Sequence, residues 1–143
     1  MTRTPSETIA HAPLDVQWVG GLAFEAGRRE GPKARIDGDG QSAPSPFDVL
    51  LAAIATCASV DVVSILEKQR TPVRALNVRV QADRVDSTPR RLAAATLHFS
   101  IAAPGTTLDR ANRAVELAVT KYCSVRASLR PDSLVTWTVE LTA

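Results

Sequence analysis

The stretch Ser45–Val63, SPFDVLLAAIATCASVDVV, most narrows what this chain can fold into. It opens as a helix. Ser45 can cap it, Pro46 suits the first helical position, and Asp48 completes a capping-box pattern where the helix dipole favours negative charge. The helix is predicted to run to about Gln69, because Pro72 discourages continuation. Phe47, Val49, Leu50, Leu51, Ala52, Ala53, Ile54 and Ala55 leave its first half apolar on nearly every side. Such a helix has to be wrapped by a sheet, a second helix or a partner subunit. A single sheet covers one side only, and a monomer would then expose a larger apolar patch than soluble monomers carry. The pattern therefore calls for a homodimer.

The rest of the chain carries the periodicities of an α+β fold. Residues 1–13 read as a flexible polar arm and 14–143 as one domain, since 143 residues suffice for one core. Val16, Trp18, Leu22 and Phe24 predict a strand bent at Gly20-Gly21, and Ala34–Asp37 a short return strand. Leu76, Val78, Val80 and Ala82 alternate with polar neighbours, as a half-buried strand does. A turn at Ser87-Thr88-Pro89 leads to the strand marked by Leu97, Phe99 and Ile101. A second helix begins near Thr107, with Asp109 reaching back to Thr106; Leu108, Ala111, Val115, Ala118 and Tyr122 share one face. Val135, Trp137, Val139 and Leu141 close the chain as a strand. The expected fold is antiparallel sheet hairpins packed on a long central helix.

Charge narrows the function classes. The formal net charge is +2, and the arginines are scattered without an aromatic platform or a long basic run. No nucleic-acid partner is expected. The opening MTRTPSETIAHAPL lacks the apolar core of a signal peptide, and the run Val49–Val60 is short for a bilayer and flanked by Asp48 and Asp61. The expectation is a cytoplasmic protein with no membrane partner. In that compartment its two cysteines are reduced or redox-active rather than a permanent staple.

Cys57 shares a helix face with Ala53, Ile54 and Asp61. Read by itself it fits a small buried hydrophobe. Asp61 disfavours a thiolate there, so a working nucleophile needs a cation or hydrogen-bond donors from elsewhere in the fold. Cys123, in KYCSVRASL, falls near the junction of two helical segments, where a helix N-terminus, Lys121 and Arg126 favour negative charge. Two such cysteines can act as an attacking and a resolving thiol. Cys57, Cys123, His11 and His98 lack the short spacings of a zinc site. No glycine-rich phosphate loop or nucleophile-elbow serine occurs.

SPFDVLLAAIATC, followed by ASVDVVSIL and later by KYCSV, resembles the OsmC/Ohr family, on its OsmC-like branch. The resemblance runs from about Val16 to Leu141. It implies an intertwined homodimer whose two central helices lie between sheets. It implies a thiol peroxidase that reduces organic hydroperoxides without a metal or bound cofactor. Cys57 would attack the peroxide and become a sulfenic acid, Cys123 would resolve it as a disulfide, and an outside dithiol reductant would regenerate the pair. The family's activating arginine would match Arg28 or Arg29 in AGRREG. The family glutamate after the opening proline is replaced by Phe47, with Asp48 one residue on as the candidate carboxylate. The alternative is a non-enzymatic OsmC-like dimer that binds a hydrophobic small molecule, its cysteines structural; the missing glutamate motivates it.

Overall fold

The computed structural model describes residues 7–143. Positions 1–6 of the expected arm lie outside the described residues, and residues 7–13 form no regular element. The chain divides into two compact units, the first ending at Val49 and the second running Leu50–Ala143.

The first unit holds β1 (Leu14–Gly20), β2 (Ala23–Arg28) and β3 (Ala34–Asp37) in one antiparallel sheet of that order. The expected bent strand is in fact a hairpin. Gly20 and Gly21 take φ of +113° and +55°, conformations that reverse the chain and that favour glycine. The Trp18 indole N–H donates to the Gly21 carbonyl at 2.9 Å and closes the turn. Trp18 opposes Phe24, and Phe24 opposes Ile36, so these side chains share a face with Val16. Asp37 ends the sheet. Its carboxylate accepts from the Ser42 N–H and hydroxyl and from the Asp39 N–H, which organises the loop toward the long helix. Those bonds, the Ser42 N–H first, hold its pKa below the usual carboxylate range.

The central helix, α1, spans Pro46–Lys68. Its capping box forms as the sequence predicts: the Asp48 N–H donates to Ser45 Oγ at 3.1 Å, and the Ser45 N–H donates to the Asp48 carboxylate at 2.9 Å. Its end is a Schellman motif. The Thr71 N–H reaches the Leu66 carbonyl and the Arg70 N–H the Glu67 carbonyl, both at 3.0 Å, with Arg70 left-handed at φ 62°. The helix exceeds the apolar run seen in the sequence. By length and composition it could cross a membrane, with an 18-residue window of mean hydropathy 2.3. Ile54, Ala58, Val62 and Leu66, four apart, are instead fully buried as one stripe.

In the second unit β4 (Ala75–Arg84) pairs antiparallel with β5 (Leu92–Ala102), which pairs parallel with β6 (Leu134–Leu141). The sheet is mixed rather than all hairpins, because helices and not a tight turn connect β5 to β6. Those helices are α2 (Leu108–Leu117) and α3 (Ser124–Ala127), joined by a π-helical turn, Ala118–Tyr122. Thr107 caps α2 by accepting the Arg110 N–H at 3.2 Å, in place of the expected Asp109–Thr106 contact. Leu97, Phe99 and Ile101 on one face of β5, with Ala111, Ala114 and Val115 of α2, are at most 1% exposed and belong to the core. The other face of β5 is polar: Thr96, His98 and Ser100 hydrogen-bond to Thr136, Thr138 and Glu140 of β6.

Candidate active site

Both cysteines belong to the second unit, and the π turn determines how they meet. At 3.6 residues per turn the buried face of α2 would pass from Ala118 to Tyr122. A π turn carries one more residue per turn, so that face is handed to Cys123. Cys123 is 3% exposed, whereas Tyr122, expected on the buried face, is 51% exposed. The chain is then extended at Cys123 (φ −72°, ψ 100°), which becomes the N-cap of α3. Its sulfur accepts the Arg126 N–H at 3.3 Å and lies 3.9 Å from the Ile54 carbonyl of α1.

Cys57 lies half-buried on α1, directly across from this turn. Its sulfur is 3.9 Å from the Ser124 hydroxyl. The Val125 and Ser124 N–H groups and the Cys123 thiol also act on it, each lowering its pKa. Of the amides in the first turn of α3, Arg126 donates to the Cys123 sulfur and Ala127 to the Cys123 carbonyl, while those of Ser124 and Val125 lower the pKa of Cys57.

The two thiols are consequently driven apart in acidity. Burial pushes Cys57 up, but the Val125 N–H, the Cys123 thiol and the Ser124 hydroxyl and N–H outweigh it and hold its pKa below the ordinary cysteine range. Burial also pushes Cys123 up. The Arg126 N–H opposes that, but the thiol's hydrogen bond to Cys57 and the negative charge there add to the rise. Cys57 is thus the more acidic thiol of the pair and Cys123 the less acidic. This reverses the expectation built on Asp61: neighbours in the fold, not on the helix, set the character of Cys57.

The other candidates have separate duties. Asp48 is the α1 capping carboxylate, its pKa lowered by the Ser45 N–H and then the Ser45 hydroxyl. Arg28 ends β2 and Arg29 follows in the β2–β3 turn of the first unit. Lys33 ties that turn together by donating to the carbonyls of Arg28, Arg29 and Gly31. Arg29 pairs with Asp15 at 3.7 Å, both exposed, a contact of little energetic weight. Of the zinc set, His98 is engaged by Thr138 at 2.7 Å and Gln81 at 2.9 Å. Sequence reasoning missed Ser124 and Val125. The expected helix start near Cys123 was the available signal, but not which amides it would aim at Cys57.

An open hollow of about 360 Å³ lies on the same helix, lined by Thr56, Ser59, Val60 and Val63. The Thr56 and Ser59 hydroxyls donate back to the Ala52 and Ala55 carbonyls, each at 2.7 Å, so the lining presents mainly carbon.

Residues 38–138 match the family described as OsmC-like protein. Protein YhfA of Escherichia coli K12 is 36% identical over 129 residues, covering 90% of this chain and 96% of that protein. An OsmC-like protein from Mycoplasma pneumoniae superposes with a TM-score of 0.78 at 14% identity, over 95% of this chain and all of the other. An organic hydroperoxide resistance protein OsmC from Legionella pneumophila gives 0.63 at 14%, over 96% of this chain and 100% of its own. The match over residues 38–138 and the likeness to YhfA along nearly its full length make this chain a member of the OsmC-like protein family.

Proposed function

We propose that the protein is a cytoplasmic, homodimeric thiol peroxidase that reduces organic hydroperoxides as part of an oxidative-stress defence. The observation that carries this reading is the Cys57 sulfur set against the start of α3, 3.9 Å from the Ser124 hydroxyl, with the Val125 and Ser124 N–H groups and the Cys123 thiol lowering its pKa. A thiolate there attacks the terminal peroxide oxygen. The S–O bond forms as the O–O bond breaks, and the alcohol leaves with a proton. Cys123 then displaces that oxygen as water and closes a disulfide. A dithiol reductant returns both thiols. The resemblance alone proposes Arg28 or Arg29 as the activating arginine, and Asp48 stays with the helix cap. The relatives named for hydroperoxide resistance support the substrate class.

Reduced protein incubated with cumene hydroperoxide should lose both free thiols. Cys57→Ser should lose none, and Cys123→Ser should stop at a sulfenic acid that dimedone captures. Equal thiol loss in wild type and Cys57→Ser contradicts the assignment. The second reading, an apolar-ligand carrier, draws on the carbon-lined hollow at Val60 and Val63. Native mass spectrometry of protein taken from cells distinguishes it by a retained ligand accompanied by unreactive thiols.

A further inference from the structure

We infer that Ser124 is a catalytic residue, its hydroxyl donating to the Cys57 sulfur and holding it in the reactive form. This rests on the reading of Cys57 as the attacking thiolate. The Ser124 hydroxyl lies 3.9 Å from that sulfur, within reach for a sulfur acceptor. Its main-chain carbonyl is already engaged, accepting the Ser128 hydroxyl at 2.8 Å and the Ser128 N–H at 3.1 Å, which anchors residue 124. The extended backbone at Cys123 aims the residue at α1. The other three groups that lower the Cys57 pKa are two main-chain amides and the resolving thiol. Ser124 therefore supplies the one donor that a side-chain change removes while leaving the backbone and the second cysteine in place.

The step it serves transfers the terminal oxygen of the hydroperoxide. The S–O bond forms at Cys57 and the O–O bond breaks; the sulfur gives up two electrons, the peroxide gains them, and the departing alkoxide takes a proton from water. A donor that stabilises the thiolate before this step raises the fraction of protein ready to react.

The test reads Cys57 itself. Iodoacetamide labelling across pH, followed by peptide mass spectrometry, reports Cys57 separately from Cys123. Ser124→Ala should move the Cys57 labelling midpoint to higher pH and lower the neutral-pH labelling rate about 3- to 10-fold. Ser124→Thr should restore both. The rate of cumene hydroperoxide consumption should fall in parallel with the labelling rate. If neither variant nor wild type consumes peroxide yet the midpoint still moves, Ser124 keeps its role and the peroxidase reading fails. A Ser124→Ala labelling profile that superimposes on wild type, with the fold intact by circular dichroism, overturns the inference.

Discussion

At the scale of single residues, two chemically identical side chains acquire different roles from their surroundings. Cys57 is depressed and Cys123 raised, so their stabilities respond to pH in opposite directions. The folded thiolate at Cys57 contributes stability that is complete above the ordinary cysteine pKa and is lost as pH falls through the lower folded value. The raised Cys123 contributes most below the ordinary value and loses that as pH rises through its folded one. Cys57→Ser should therefore lose stability against wild type increasingly as pH rises from the lowered Cys57 pKa to the ordinary cysteine range, as read by denaturant unfolding. Cys123→Ala removes the α3 cap and one donor to Cys57 together. It should cost about 1 kcal/mol and move Cys57 labelling to higher pH. Cys123→Ser, a better cap, should recover the stability. Equal stability of the Ala and Ser variants would show that the cap does not matter.

Elements show where the sequence was legible and where it was not. α1 was readable at both ends because its signals are local: Ser45, Pro46 and Asp48 at the start, Pro72 beyond the stop. β4 and β5 were readable because alternation of Val78 and Val80 with Arg79 and Gln81 is a property of the strand alone. The parallel placement of β6 was not, since strand direction depends on the crossover before it. The π turn was not legible either. Nothing in AVTKY departs from an ordinary helical sequence, yet one extra residue per turn exchanges Tyr122 for Cys123 at the buried position. Deleting Thr120 should restore α-helical phase and carry Cys123 off that face. Disulfide formation on treatment with diamide should then fail while helix content persists; normal disulfide formation would show that the turn is not needed. Arg70 offers an independent check at the far end of α1. A left-handed non-glycine costs ~1–2 kcal/mol, against the ~0.5–1 kcal/mol that glycine loses in chain entropy. Arg70→Gly should thus stabilise by about 0.5 to 1 kcal/mol, and a lower melting temperature would refute the motif's energetics.

For the whole molecule, the question raised by an all-round apolar helix returns in the structure. Val60 is 68% exposed and Val63 38%, beside the hollow on α1. In the first unit Leu14, Val16 and Trp18 are each at least 60% exposed. Apolar faces of this kind on both units fit the proposed homodimer. Val60→Glu should leave a single chain's fold within about 0.5 kcal/mol, since the site is exposed there, yet shift sedimentation equilibrium from dimer to monomer. A wild-type protein that sediments as a folded monomer at micromolar concentration contradicts the dimer. The pairing of the cysteines, by contrast, needs only the second unit of one chain, because Cys57 and the turn that carries Cys123 both belong to it. Non-reducing peptide mapping after one equivalent of cumene hydroperoxide tests that pairing most directly. The expected product is a Cys57–Cys123 disulfide within a single chain, absent from Cys57→Ser. Recovery of both peptides as free thiols, or of disulfides that join separate chains, would contradict a Cys57 nucleophile resolved by Cys123.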